Sequence, residues 1–425
     1  MMGVIWRRCG LLLVVGWLAA SFVLPDTVVP ATMDRAALVK ARKKARHRKR
    51  RIIMNNDGND FNRTKPDQPK TPETFLSMRT TPLLGSHVDA IFYCTGVFNL
   101  YTHRSKESEL ITSEKAAARY IHELIRQGTD SLEVMTRFGH KHGIEVFWSM
   151  RMNDTHDSAR PELLCKWKRD HPEYLVGKQD QKPRYGCGRW SSVDYGRAEV
   201  RDKVYRILAD VCTRYDVDGI EMDFFRHPVV FKPQVTGQPV TQAHCDLMTG
   251  LVRRVREMTE RVGAKRGRPL LIAIRIPDSM GYCKALGLDV VRWLAEDLVD
   301  IVTGGGYFKF EPWENLVALG KKHDVPVYAC LAKRRIVPKG KDKDAKHVIK
   351  RFRGEALNAW KAGVSGIYTF NRFNPRDPLF RELGDPALLE TLDRIDRTAY
   401  VEQTLWSKPG KWLKGGSRFV RPTGK

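Results

Sequence analysis

The sequence predicts a (β/α)8 barrel, and three observations carry that expectation. Eight short β-branched or aromatic runs alternate with seven amphipathic stretches along the 425 residues, the count that closes a parallel barrel. One run, Asp218–Arg226 (DGIEMDFFR), alternates apolar with polar residues and delivers two carboxylates and an arginine at its C-terminal end. A doubly wound sheet would instead carry a GxGxxG phosphate turn, and Gly304-Gly305-Gly306 is not followed by that spacing.

The chain opens with Trp6-Arg7-Arg8 and an apolar run, Cys9 to Leu24, of 16 residues. That is short for a membrane span and suits an export signal, so residues 1–31 are expected to be a signal peptide, or a membrane anchor if uncleaved. The protein is then secreted or periplasmic, and its membrane contact is transient. Eight cysteines with scattered spacing form no disulfide framework; Cys94, Cys212 and Cys330 sit in apolar runs as buried thiols, while Cys165 and Cys187 flank one loop and could pair. Lys40 to Arg51 (KARKKARHRKRR) supplies nine positive charges of a net +25, leaving +16 elsewhere. A block of like charge repels itself, so residues 32–50 are expected to form a disordered linker. Nucleic-acid binding through electrostatics alone is the competing reading, and no zinc finger, helix-turn-helix or aromatic RNA motif accompanies it.

The strands are expected at Arg51–Asn55, Val88–Cys94, Ile144–Met150, Val217–Asp223, Leu270–Ile276, Val299–Thr303, Val325–Leu331 and Val364–Phe370. Helical spacing of apolar residues covers Pro72–Met78, Ser113–His142, Arg197–Tyr215, Gln242–Val262, Leu288–Asp297, Pro312–His323 and Lys346–Ala362. Ser113-Glu114 and Pro312-Trp313-Glu314 are helix starts; Gly143 and Gly363 are stops. The barrel therefore runs over 51–397, with a basic tail at 398–425. Long excursions follow strands two, three and four, with Asn153 to Val193 the longest, on the face where barrel active sites lie.

Strand period is two, so Gly219, Glu221 and Asp223 share one face, and Ile220, Met222 and Phe224 the other. Helices flank this strand on both sides in sequence, so the acids must point into the barrel. The same parity brings a defined set to the mouth: Asp57 after strand one, Tyr93 after strand two, Arg151 and Asn153 after strand three with Trp148 beside them, and Arg226 after strand four. Arg275 and Asp278 end strand five; Tyr307 and Glu311 follow strand six; Tyr368 and Asn371 end strand eight, and Trp190 lies in a polar loop. Aromatics to stack on pyranose faces, with amides and acids to hold hydroxyls, suit a carbohydrate substrate. Glycoside cleavage needs one ionised and one protonated carboxyl group. Asp223 is the expected ionised partner, with Arg275 or Arg151 supplying opposite charge. Glu221, one layer deeper, is expected to support it through an ion pair with Arg275, or to donate the proton itself if desolvation keeps it neutral. Asp278, Glu311 and Glu221 all stand as candidate proton donors. The charge of +16 outside the basic run predicts an acidic glycan. No metal or cofactor is predicted, since His140 and His142 lie at i, i+2 on a helix and face apart.

Within Ser192–Arg226, the residues VDYGRAEVRDKVYRILADVCTRYDVDGIEMDFFR resemble the fourth-strand region of the glycosyl-hydrolase-like ten group, secreted barrels related to several glycosidase clans. The resemblance extends more faintly from Arg51 to Asn371, through NNDGND, FWSMRMND and AIRIPDS. It implies a glycosidase-type barrel. Comparison with chitinase-like enzymes, which close the same signature on an acid, finds Phe225 in that place and disfavours their donor. Amylase-like enzymes carry their nucleophile where this chain has Asp223, but an Arg where it has Glu221, and a donor Glu near Arg275–Asp278 that this chain lacks. The comparison supports Asp223 as the key carboxylate and keeps a binding-only barrel in play.

Overall fold

The structure, a computed structural model, describes residues 32–396 except 66, 113–114, 180–189, 236–237, 308 and 338–343. The expected signal segment, the 398–425 tail, Cys187 and the Ser113-Glu114 helix start lie outside these residues. Eight parallel strands close a barrel: β1 (Ile52–Asn56), β2 (Val88–Tyr93), β3 (Glu145–Arg151), β4 (Gly219–Asp223), β5 (Leu271–Ile276), β6 (Ile301–Gly304), β7 (Val327–Ala332) and β8 (Gly366–Phe370). Each strand pairs with its neighbours in sequence, and β8 closes on β1. All eight expected strands are present, displaced by at most two residues at either end.

The helices of eight residues or more are α1 (Arg35–Arg46), α2 (Pro72–Arg79), α3 (Lys115–Arg126), α4 (Ser131–His142), α5 (Ala198–Arg214), α6 (Gln242–Arg266), α7 (Trp313–Lys322) and α8 (Ala345–Lys361). The expected single helix over 113–142 is two. Gly128 has φ of 83°, and the Asp130 side chain caps α4 by accepting from the Leu132 and Glu133 amides, so the chain stops and restarts there. Between β5 and β6 the helical content is two short pieces, Met280–Ala285 and Val290–Ala295. No helix among the described residues is long and apolar enough to cross a membrane.

Strand register fixes which side chains fill the barrel. Asn55 pairs with Phe92, Phe92 with Phe147, Ser149 with Glu221, and Asp223 with Arg275, so all of these point inward. The lower interior is apolar and aromatic: Phe92 stacks on Phe147 at 4.5 Å, and Phe92 meets Tyr368 edge-on at 5.7 Å. Gly219 faces this cluster, where any Cβ would run into the Phe147 ring and the Leu271 carbonyl. The inward layers above it become polar, which carries the acids of β4 towards the mouth.

The basic run is not a disordered linker. It folds as α1, capped by Asp34, and docks across the floor of the barrel at the N-terminal ends of the strands. The reason is ion pairing. Arg42 bonds Asp297 at 2.5 Å and Asp300 at 2.7 Å, Arg46 bonds Asp297 at 2.5 Å, and Arg256 holds the other oxygen of Asp300 at 2.5 Å. Arg50, fully buried, reaches Glu145 at the base of β3 at 2.5 Å. Arg48 pairs with Glu145 and Arg51 with Asp89. Every arginine of the run thus meets a carboxylate of the barrel. Lys40, Lys43, Lys44 and Lys49 are exposed and form no ion pair with a described residue. Arginine suits the buried half because its planar fork reaches two carboxylates at once.

Removing one side of a buried ion pair leaves the other charge uncompensated. The double variant Arg42→Ala, Arg46→Ala should therefore lose about 3 kcal/mol or more of stability in urea titrations. Lys40→Ala, Lys43→Ala and Lys44→Ala together should stay within about 0.5 kcal/mol of the parent.

Candidate active site

The mouth of the barrel is built by the ends of β1, β3, β4, β5 and β8 and by the loops that follow them. Asp223 is the last residue of β4 and only 3% exposed. One carboxylate oxygen accepts from Arg275 Nη2 at 2.6 Å and the other from the Phe225 amide at 2.9 Å. Arg275 is itself enclosed by rings, its guanidinium 4.2 Å from the centre of Phe370, 5.7 Å from Tyr307 and 5.8 Å from Phe225. The aromatic sleeve and the carboxylate fix the arginine, and the arginine fixes Asp223. The expected pairing of Arg275 with Glu221 is corrected here: Arg275 is level with Asp223 in the register, whereas Glu221 is level with Ala273.

Glu221 lies one inward position below and is fully buried. Its Oε2 accepts from Ser149 Oγ at 2.5 Å and from the Tyr368 hydroxyl at 3.1 Å. Burial, with the Asp223 charge beside it, pushes its carboxyl up to about 7, against the opposing pull of Arg275. Burial, together with the Glu221 charge, also keeps the Tyr368 phenol protonated, so that it remains a donor. The two acids on one strand face therefore sit in different environments, one against a guanidinium and one among neutral hydroxyls.

A second set of charges rings the opposite side of the mouth. Arg151, at the end of β3, donates to Asp57 after β1 and to Asp154 at 3.0 Å. Asp154 Oδ1 lies 2.7 Å from His156 Nδ1, and Arg226 Nη2 lies 2.8 Å from His156 Nε2. Because Nε2 must accept from the guanidinium, Nδ1 carries the ring proton and donates to Asp154. Arg226 also donates to the Tyr307 hydroxyl. Burial opposes the charge of Asp57, yet Arg151 and Arg226 hold its carboxyl below the usual range. Burial likewise opposes that of Asp154, where the His156 bond and Arg151 prevail. Beside this chain lies a cavity of about 130 Å³ lined by Asp57, Gly58, Arg151, His156 and Arg160, with Phe61 and Ile111 among its apolar walls. Gly58 has φ of 69°, and a Cβ there would collide with the Cys94 carbonyl, so the turn that presents Asp57 requires glycine.

The expected site residues divide into those that meet at the mouth and those that do not. Asp223, Glu221, Arg275, Arg151, Asp57, Arg226, Tyr307 and Tyr368 are joined by the contacts above. Tyr93 points the other way: Phe92 faces inward, and the Tyr93 ring packs 6.3 Å from Phe75 of α2. Trp148 also faces outward, its indole N–H donating to Thr95 Oγ1 at 2.8 Å and its ring edge-on to Tyr101. Asn153 spends its amide on the backbone, donating to the Val193 and Val229 carbonyls and accepting from the Val193 amide at 2.9 Å. It ties the loops after β3 and β4 together. Asp278 is buried, with both carboxylate oxygens accepting from the amides of Phe310 and Glu311, and so anchors the loop after β6. Glu311 is half-buried and accepts from the Asn315 side chain at 3.1 Å. Trp190 is half-buried against the core, and Asn371 is exposed with φ of 54° at the end of β8. His227 is buried in loop contacts to Asn153 and Thr155. Sequence reasoning missed Asp154, His156 and the Phe370 ring over Arg275. The acid three residues after Arg151 was the available signal for the first of these.

The chain is similar in fold to solved glycosidase barrels. It matches the PgaB (BpsB) glycoside hydrolase domain of Bordetella bronchiseptica at 13% identity and a TM-score of 0.49, covering 80% of this chain and 98% of that one. It also matches alpha-L-fucosidase isoenzyme 2 of Paenibacillus thiaminolyticus at 14% identity and a TM-score of 0.47, covering 81% of this chain and 49% of that one. A glycoside hydrolase family 18 N-acetylglucosaminidase of Paenibacillus barengoltzii follows at 11% and 0.44, covering 81% of this chain and all of that one. At these identities and TM-scores the likeness says nothing of this chain's activity or substrate. No curated protein sequence matches the chain. Residues 107–243, which carry β3, β4 and the long loop between them, match the sequence profile of the family described as glycosyl hydrolase-like 10, the group this sequence resembles.

Proposed function

We propose that this barrel is a glycosidase-type enzyme acting on a poly- or oligosaccharide, with Asp223 as its central carboxylate. The observation that carries the reading is the Arg275–Asp223 pair at the barrel mouth, whose Asp223 lies at the C-terminal end of β4 within the stretch matched by the family profile. A carboxylate bonded to a guanidinium and a backbone amide is held in one orientation beside a compensating charge, as a nucleophile or base at an anomeric carbon must be. Glu221 holds a proton near neutrality directly beneath it and acts as a positioning residue, because a neutral neighbour spares Asp223 a second buried negative charge. Asp57, half-buried and bordering the cavity, is the carboxylate best situated to act from the other side of the sugar. An exported location fits the apolar run Cys9 to Leu24.

A glycan-binding barrel without turnover is the second reading. It is favoured by one observation: Asp57 and Asp223 are both engaged by arginines in the free protein. The two readings separate in one variant. Asp223→Asn should lower release of reducing ends from a glycan panel by about 10²- to 10⁴-fold while oligosaccharide binding persists. Unchanged turnover would remove Asp223 from the chemistry, and absence of turnover in the parent across the panel would favour binding alone.

A pH signature follows for Glu221. Its carboxyl lies above the ordinary value of 4.5 in the folded state, at about 7, so the native state binds the proton more tightly than the unfolded chain. The stabilisation is complete below pH 4.5 and is lost as pH rises through about 7. Denaturation across this window should show the difference in stability between parent and Glu221→Gln falling by roughly 3 kcal/mol. A pH-independent difference would mean that Glu221 titrates normally.

A further inference from the structure

Three arginines converge around Tyr307 at the mouth, and they are not equivalent. Arg151 is neutralised by Asp57 and Asp154, and Arg275 by Asp223. Arg226 has no carboxylate among the described residues within ion-pairing distance. Its two terminal nitrogens are bonded to neutral groups, the Tyr307 hydroxyl and His156 Nε2, and its buried Nε has no hydrogen-bond partner among the described residues. His156 Nε2 takes the guanidinium's hydrogen bond without supplying a negative charge to it. The guanidinium is held rather than free, lying 5.6 Å from the centre of the Tyr307 ring. It follows Asp223 by three residues in sequence, and its His156 partner lines the cavity beside Asp57.

We infer that Arg226 is the receptor for an anionic group on the glycan, a carboxylate or a sulfate, carried by a sugar bound at the mouth next to Asp223. A half-buried guanidinium with only neutral partners has electrostatic capacity that a ligand can use. Its planar fork matches a carboxylate or sulfate through two parallel hydrogen bonds. Arg151 is already bonded to two carboxylates, and Arg275 is fully buried with its charge met by Asp223, whereas Arg226 is half-buried. The charge of +16 outside the basic run attracts the same class of polymer over a distance. The single arginine makes the selection at the site. The inference rests on the glycan reading above and adds the chemical class of the sugar.

The test measures binding rather than turnover, in the Asp223→Asn background, so that an inactive barrel and a wrong sugar class give different results. The probes are galacturonate and hyaluronan oligosaccharides with their carboxyl-reduced counterparts, and chondroitin sulfate oligosaccharides with their desulfated counterparts. Calorimetry should find at least one acidic probe bound at least tenfold more tightly than its neutralised counterpart. Arg226→Gln should weaken that probe roughly 10- to 100-fold and bring the acidic-to-neutral ratio close to one, with Arg226→Lys recovering part of the preference. A purely structural role for Arg226 would weaken both members of each pair equally. That result overturns the inference, as would preferential binding of the neutral probes or the absence of binding by any acidic one. Uronate against sulfate selectivity identifies which anion Arg226 takes.

Discussion

Arginine–carboxylate pairs close both ends of this barrel, and the one at the mouth fixes the carboxylate proposed to carry the chemistry. Arg275 enters from β5 and meets Asp223 from β4 at the same level of the register, with Phe370, Tyr307 and Phe225 around the guanidinium. A charge pair taken out of water is worth retaining only if its geometry is fixed and its remaining polar atoms are occupied. Here the Phe225 amide takes the second oxygen of Asp223. Phe225 thus serves twice, through its backbone on the acid and through its ring beside the arginine. The position that would hold an acid in a chitinase-like signature is used here to fix the carboxylate already present.

Beneath this pair the interior changes character within one strand residue. Glu221 has two hydroxyls on one oxygen, no cation bonded to it and its other oxygen without a hydrogen-bond partner among the described residues, so burial raises its proton affinity while Asp223 keeps its counter-charge. On the far side, Asp57, Arg151, Asp154, His156 and Arg226 alternate in sign until the chain reaches His156, where a neutral ring interrupts it. This interruption leaves the last guanidinium with no carboxylate in direct contact among the described residues, only the longer-range field of Asp57. Charge at the mouth is therefore arranged as two closed pairs or triads and one open end.

The strand count and barrel class were legible because fully buried strands leave short β-branched runs that stand out between helices. Parity was legible on β3, β4 and β5, where a polar residue marks the inward face: Ser149 and Arg151, Glu221 and Asp223, Arg275. It was not legible on β2, where Ala90 and Phe92 face inward and Ile91 and Tyr93 outward, both faces being apolar. Trp148 misled for the same reason, as an aromatic on the helix side of a strand buried on both faces. The basic run was misread because its partners are distant in the chain. Arg50 finds Glu145 95 residues on and Arg42 finds Asp300 258 residues on, and no local pattern encodes that. Within the run, every arginine takes a carboxylate partner and every lysine stays in solvent, a distinction present in the sequence only as two kinds of cation.

The docking of α1 has a geometric corollary. Because this helix is pinned against the N-terminal ends of the strands, its arginine–carboxylate pairs brace the pole of the barrel opposite the mouth, so the floor and the rim are stabilised by separate sets of charges.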